Sequence, residues 1–493
     1  MTPQEILHLR TRPLTSHPIE TEGKEYVLCW LMQALRAKEN PVLDTAILLG
    51  NELGLPVVVV HALENRYPYA SHRLHRFILE ASLELGPDIE ERGLRFVRWV
   101  RRSGESEVDV IAELAKRAAA VIADDVPTFV TRTYADALAE RFDGAVWGVD
   151  ACCAVPMNAF SEHLDTTKAF RAAHTKLREL HLHTDLQQHP EPPRFDGKLD
   201  LGDGGATDLT EAGLDELIAD CGVDMTLPPI ADFPGGRSVA LERLNYAIRE
   251  VIPRYKWTRN NPALPDSSTQ ISPWMHFGVL SPREVAAAVL KAEKEEGLHR
   301  AARYKYLDEL LTWREYYHHR CRFVSDFNQW SGLPDWARET LEDHASDPRE
   351  NVYSLEALIH GETNDETWNA AQKEFLAGGW MNNNLRMYWV KQIIRWRPDP
   401  REAFGVACYL NDRFSLDGRD ASTYGGIRWG FGEARKGYRE IEHYGWVAPK
   451  GDGALRKRDG MPEWLAERAG REVVRVSVPE IEEAVERYCR RSN

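Results

Sequence analysis

The sequence predicts a doubly wound parallel α/β domain over residues 1–160 and a mainly α-helical domain over 235–493, joined by a connector over 161–234. Three observations carry this reading. Short β-branched runs alternate with helical patterns through the first 160 residues, as βαβ units require. After Gly235 helical periodicity dominates, and no strand pattern of comparable strength interrupts it. A chain of 493 residues also exceeds one domain of roughly 100–200 residues.

The strands begin with 26–32 (YVLCWLM), a continuous apolar run expected of a strand covered on both faces. A helical pattern over 43–53 follows, then strands at 55–61 (LPVVVVH), 94–100 (LRFVRWV), 120–124 (AVIAD) and 145–149 (AVWGV). No G-x-G-x-x-G follows the first strand and no G-x-x-x-x-G-K-[ST] occurs, so neither a common dinucleotide site nor a P-loop is expected. In the connector, the run HPEPPRFDGK and the glycines of LGDGGATD break long periodicity. His174, His181, His183 and His189, scattered through this polar stretch, read as solvated side chains rather than metal ligands. Beyond it, Ser281 is placed as an N-cap, Pro282 at the first helical position and Glu284 as the partner closing a capping box. Further helices are expected over roughly 237–251, 300–322, 366–377, 381–396 and 400–412.

Composition narrows the function classes. No apolar run approaches 18 residues and the start, MTPQEILHLR, is polar, so neither a membrane span nor a secretory signal is expected. The seven cysteines are odd in number and scattered without C-x-x-C, which fits a reducing cytoplasm better than a disulfide framework or a zinc site. The net charge of −15 argues against nucleic acid until it is divided. Residues 1–234 hold 23 basic against 38 acidic side chains, whereas 235–493 hold 39 of each. Within 371–460 basic residues outnumber acidic ones, 16 to 11, enough for a local basic face. Twelve of the 15 tryptophans also fall in 235–493, which suits a large aromatic core or indoles used for stacking and electron transfer.

Three stretches carry candidate chemistry. In YKYLDELLTWREYYHHRCRF (304–323), Glu309 and Trp313 lie four apart and share a helix face, setting a carboxyl beside an indole. Such a carboxyl can hydrogen-bond a neutral heteroaromatic ring or hold a raised pKa; an exposed Glu on an amphipathic helix has the same spacing. In GGWMNNNLRMYWVKQIIRW (378–396), Asn383 and Arg386 lie three apart, an amide and a guanidinium suited to a planar ligand. Trp389 and Trp396 align seven residues apart, as a hopping chain or an apolar seam would. The three consecutive asparagines are unfavourable inside a helix by a few tenths of a kcal/mol each, as an order of magnitude. In YLNDRFSLDGRDASTYGGIRWGF (409–431), Asp412, Asp417 and Asp420 sit in a Gly-rich stretch that reads as too polar for a core. Their spacing matches no EF-hand loop, and no metal is expected.

Together, WMNNNLRMYW, YLNDRFSLDGRD, WNAAQKEFL (368–376), ISPWMHFGVLSP (271–282) and ELLTWRE (309–315) resemble the photolyase/cryptochrome family, and most closely its class II cyclobutane pyrimidine dimer photolyases. The resemblance is dense between 255 and 446 and looser before residue 160. It implies a Rossmann-like antenna domain, a connector, and a helical domain that binds FAD and a DNA lesion. Carried over residue by residue, it implies that Tyr255 and the turn Ser268, Thr269, Gln270, Ile271 and Ser272 hold the FAD phosphates. Arg314 and Asn383 help enclose the cofactor, Arg386 pairs with Asp417 beside the isoalloxazine, and Asp420 and Asn411 lie near its polar edge, Asn411 towards N5. Glu309 would hydrogen-bond the pyrimidine dimer, Trp313 and Trp429 would grip it, Met387 would touch it, and Trp389, Trp368 and Trp396 would photoreduce the flavin.

The implied activity is light-driven repair of UV-damaged DNA by a monomeric enzyme in the cytoplasm, with electron transfer from excited reduced FAD splitting the dimer. A cryptochrome-like photoreceptor would use the same flavin and tryptophans; a short stretch of 29 residues after Trp464 favours repair. A light-independent electron-transfer flavoprotein would leave Glu309, Trp313 and Trp429 without a purpose. Two departures from the family pattern stand out. Met381-Asn382-Asn383-Asn384 replaces the methionine-His-Gly-Phe usual in class II, and the first strand continues Met32-Gln33-Ala34-Leu35-Arg36 instead of Arg-Asp-Gln. The second leaves open whether the antenna domain takes a second chromophore, a deazaflavin or a folate.

Overall fold

The structure, a computed structural model, describes residues 1–105, 108–202, 204–295, 297–433 and 436–489. The chain divides into two compact units, and the bounds differ from a single cut at Gly235. One unit comprises Met1–Tyr246, Ile271–Leu298 and Leu307–His319; the other comprises Ala247–Gln270, His299–Tyr306 and Arg320–Asn493.

The first unit contains a six-stranded sheet in the order β1-β6-β5-β2-β3-β4. The five expected strands are β2 (Tyr26–Trp30), β3 (Val57–Leu63), β4 (Arg95–Val100), β5 (Ala118–Asp124) and β6 (Ala145–Val149), all mutually parallel where they pair. Every residue of β2 is buried, as its unbroken apolar run required. One strand went unforeseen. β1 (Thr11–Pro13) pairs antiparallel with β6 at the sheet edge, and three residues ending in Pro give no periodicity to read. The helix Pro41–Leu53 starts on an Asn40 N-cap and stops at Gly54, whose φ of 68° ends it in the left-handed region.

Strand order reverses between β2 and β5, the place where a doubly wound sheet opens a ligand crevice. Here the crevice end is occupied by the chain itself. Asp124, at the end of β5, accepts hydrogen bonds from the backbone N–H groups of Met32, Gln33 and Ala34 at 2.7, 3.1 and 3.2 Å.

The connector needs correction. Residues Thr167–His183 form a 17-residue helix, capped by the Thr166 hydroxyl, that buries Phe170, His174, His181 and Leu182. His174 and His181 are therefore not solvated, while His183 and His189 are exposed as expected. The buried pair lie seven residues apart on the inward stripe, a helical spacing that polar neighbours concealed. Among the described residues His181 has no hydrogen-bond partner on either ring nitrogen; burial, reinforced by Arg10 and Arg283, pushes its pKa down to about 4 and keeps it neutral. In the same unit Ser281 does accept from the Arg283 N–H at 3.2 Å. Glu284 closes no capping box with it, because its carboxylate pairs with both amino groups of Arg237 at 2.6 and 3.2 Å.

The second unit is mainly helical, with Glu366–Gly378, Asn383–Trp396, Pro400–Phe414 and Ala421–Gly430 at its centre. It also contains a small hairpin, β7 (Lys436–Ile441) with β8 (Gly445–Val447), which the helical reading missed. Both expected long helices over 237–251 and 300–322 contain π-helical turns, Ala247–Val251 and Glu309–Arg314. Such turns disrupt helix regularity and tend to persist where function retains them. Among the described residues, no helix is long and apolar enough to cross a membrane.

Candidate functional site

In the second unit the asparagine run is not inside a helix. Asn382 is the N-cap of Asn383–Trp396, its side chain accepting from Asn384 N, so the propensity penalty expected for a helix interior becomes a capping preference. Asn382, 4% exposed, also donates to the Ser267 hydroxyl and the Arg259 carbonyl, both at 3.1 Å. Asn383, assigned to the cofactor, is exposed instead. Its neighbour takes the inward position.

The adjacent segment 252–270 belongs to the same unit. Tyr255 is buried edge-on against Tyr306, with centroids 5.3 Å apart, and the Tyr306 phenol hydrogen-bonds Thr269. Burial raises the Tyr306 pKa to about 12. Gln270 ends the turn with φ at 58°, a left-handed conformation that non-glycine residues rarely adopt and that concentrates at ligand-binding segments.

One helical turn beyond Asn382, Arg386 is 6% exposed and donates from its two terminal nitrogens to Asn411 Oδ1 and Asp417 Oδ1, both at 3.3 Å. The stretch 409–431, read as too polar for a core, is a core. Asn411, Asp412, Asp417 and Asp420 are 0–7% exposed. Their polarity is satisfied within the fold: Ser415 donates to Asp417 at 2.5 Å, Tyr424 and Tyr488 donate to Asp412, and Asp420 caps Ala421–Gly430. The three aspartates thus serve separate partners.

Arg386 also lies over the Phe375 ring, 5.6 Å from its centroid, and Phe375 meets Trp389 at 5.9 Å. Trp389 stacks with Trp368 at 6.1 Å and 2°, and Trp368 meets Trp396 edge-on at 5.2 Å. The order is thus 389, 368, 396, with the indole of the preceding helix in the middle. All three are at most 3% exposed, and hydrogen bonds fix two of them: Trp389 Nε1 to Gln372 Oε1 at 2.9 Å and Trp368 Nε1 to the Trp389 carbonyl at 3.0 Å. Tyr353 continues the series edge-on to Trp396 at 5.1 Å. Phe375, Gln372 and Tyr353 escaped the sequence reading; Gln372 lies one turn from Trp368, but its burial shows only in the fold.

At the far end of Ala421–Gly430, Trp429 is 42% exposed while its neighbour Arg428 is fully buried. Arg428 is held by the Phe327 and Gly332 carbonyls and by Glu433, so an exposed indole stands on a fixed base. Met387 is buried, its methyl 3.6 Å from where a side chain at Gly426 would begin.

The first unit contains the remaining candidates: Ser272, Glu309, Trp313 and Arg314. Glu309 and Trp313 are half-buried on the π turn, and its i→i+5 winding leaves positions four apart close together around the axis. Arg314 donates to the Cys152 carbonyl at 2.7 Å. Next to it, Glu315 is buried and accepts from Ala154 N at 2.6 Å, Val155 N at 3.2 Å and His174 Nε2 at 2.6 Å. Arg178 donates to the other His174 nitrogen at 2.7 Å and to Thr312 at 2.8 Å. Burial would raise the Glu315 carboxyl, but His174, the backbone N–H groups and Arg314 outweigh it and hold it below its ordinary range. This buried array fixes the turn that carries Glu309, Trp313 and Arg314. No sequence spacing announced it, because its members are 141 residues apart.

Comparison with known proteins agrees with this architecture. The pattern of the DNA photolyase family matches residues 27–193. A solved photolyase from Sulfolobus tokodaii, reported with two FAD molecules, superimposes with a TM-score of 0.60 at 18% identity, covering 90% of this chain and 89% of that one. The deoxyribodipyrimidine photo-lyase of Arabidopsis thaliana is 30% identical over 429 residues, 85% of this chain and 84% of the relative. That of Methanothermobacter thermautotrophicus is 30% identical over 460 residues, 92% of this chain and 97% of the relative. With near-complete coverage at that identity, the chain belongs to the photolyase/cryptochrome family.

Proposed function

We propose that the protein is a deoxyribodipyrimidine photo-lyase of the class II pattern, splitting cyclobutane pyrimidine dimers in DNA with light and reduced FAD. The observation that carries the reading is the unbroken buried run from the Asp417–Arg386 pair through Phe375 to Trp389, Trp368 and Trp396. A core built only for stability has no need of a buried ion pair stacked on the end of an indole series, and such a pair often contributes little net stability.

FAD suits the polar end of this run on a specific ground. Arg386 Nε is buried with no acceptor among the described residues, and its other nitrogens hold theirs at 3.3 Å, the long end of hydrogen-bond range. A guanidinium with a donor left over fits the carbonyl and ring-nitrogen edge of an isoalloxazine. In the second unit Tyr255, Ser268, Thr269 and Gln270 would hold the phosphates, and Arg386, Asp417, Asn411 and Asp420 would face the ring; Ser272 and Arg314, of the first unit, keep the cofactor roles that the family resemblance implies. Bound FAD supplies light absorption and one-electron chemistry.

The chain's own residues do the rest. Trp389, Trp368 and Trp396 relay electrons inward to restore the reduced cofactor. In the first unit Glu309 hydrogen-bonds the dimer and Trp313 stacks on it; Trp429 and Met387, of the second unit, keep the lesion-contacting roles that the family resemblance implies. The dimer must leave the duplex to reach them, at a cost of a few kcal/mol that is smaller for an already unstacked lesion. Basic side chains within 371–460 hold the flanking phosphates.

Purified protein, reduced chemically, should remove thymine dimers from an oligonucleotide under blue light and not in the dark. Light-driven reduction of its flavin without dimer loss would refute the repair reading and favour a photoreceptor.

A further inference from the structure

The mechanism above uses Asn411 but not the group that orients it. Asp412, the next residue, is fully buried, and every lone pair of its carboxylate meets a donor. Oδ2 accepts from the phenols of Tyr424 at 2.6 Å and Tyr488 at 2.7 Å. Oδ1 accepts from Asn411 Nδ2 at 2.9 Å and Arg419 N at 3.0 Å. Tyr488 follows the helix Ile481–Glu486 and is itself fully buried, its carbonyl taking the Trp330 N–H at 2.9 Å.

This arrangement leaves the Asn411 amide one orientation. Its two N–H donors go to Asp412 and, at 3.3 Å, to Thr423 Oγ1, while its oxygen accepts from Arg386. A flipped amide would set oxygen against carboxylate and N–H against guanidinium. With both donors engaged, what Asn411 can still offer a ligand is an oxygen lone pair. An acceptor beside a flavin ring nitrogen favours the protonated, reduced form of the ring over the oxidised one.

We propose that Tyr488 is a positioning residue of the cofactor pocket: through Asp412 it locks the Asn411 amide with its oxygen available, and so biases bound flavin towards the reduced state. The proposal rests on the reading that FAD lies beside Asn411.

The test uses the full chain with FAD bound. Tyr488→Phe removes one hydroxyl and keeps the ring. FAD content should stay as in the wild type, while the ratio of reduced to oxidised flavin at a fixed ambient potential should fall by about three- to tenfold, as expected for one lost hydrogen bond. Tyr424→Phe, which removes the other phenol, should shift the ratio in the same direction and serves if the first variant does not fold. In an Asn411→Ala background, Tyr488→Phe should produce no further shift, because the pathway runs through that amide. An unchanged ratio with FAD bound, or equal shifts with and without Asn411, would overturn this proposal alone. Wild-type protein that takes up no FAD would overturn the cofactor reading together with it.

Discussion

Replacing Trp368 by Phe is the sharpest perturbation of the indole series. Trp368 stands between Trp389 and Trp396, with ring centroids 6.1 and 5.2 Å away. Without it the two remaining indoles are seven residues apart on one helix, about 10 Å along the axis at ~1.5 Å per residue. Phenylalanine is far harder to oxidise than an indole, so two short hops become one long one. Light-driven reduction of oxidised flavin in the presence of an external reductant should slow markedly, because one hop of ~10 Å along the axis replaces two short ones.

The structural penalty is smaller. The variant loses the bond from Nε1 to the Trp389 carbonyl and leaves a partial cavity, together about 1–3 kcal/mol. A domain stable by about 5–15 kcal/mol stays folded. The assay is flavin absorbance under blue light, with repair by chemically reduced enzyme as the control, which should be nearly unchanged. Photoreduction at the wild-type rate would refute the reasoning and return these indoles to a packing role.

Three other predictions follow from the first unit. Trp313→Ala should weaken binding of a dimer-containing oligonucleotide by roughly ten- to a hundredfold while FAD stays bound, from about 1–3 kcal/mol of base stacking; Glu309→Gln should lower repair per photon more than affinity, and wild-type repair by both variants would place the lesion elsewhere. Glu315→Gln sets an amide N–H against backbone N–H or His174 and should cost about 3–5 kcal/mol, read as a lower melting temperature. Because the folded Glu315 carboxyl lies below its ordinary value of 4.5, its contribution is present above that value and disappears as the pH falls through the folded one. The gap in melting temperature between wild type and variant should therefore close in acid; a gap independent of pH would show that the charge is not what matters.

What could be read from the sequence followed from local rules. The strand β2 announced itself because burial on both faces demands an unbroken apolar run, and Asn383–Trp396 because its apolar residues recur with helical period. Trp389 and Trp396 could be aligned from spacing alone. That Trp368 would lie between them needed the packing of a second helix, and only the family resemblance supplied it. The run of asparagines illustrates the opposite failure. Composition marked it as unfavourable in a helix, yet a shift of two residues in the helix start turns the same residues into a cap and sends Asn382 rather than Asn383 inward.

The buried polar groups were illegible for a different reason. A charged side chain looks solvent-exposed to any rule based on composition, since burying it is unfavourable without partners. Whether partners exist is decided by residues far away in sequence. Asp412 is tolerable in the core because Tyr488 reaches it from 76 residues on, and Glu315 because His174 reaches it from 141 residues back. Both carboxylates adjoin residues assigned to chemistry, Asn411 and Arg314. A buried charge is expensive to maintain for stability alone, since well-packed apolar residues often serve as well. Its presence beside a residue assigned to chemistry is better explained by orientation: a fixed set of donors around a carboxylate leaves its neighbour one geometry, and one geometry is what a functional site requires.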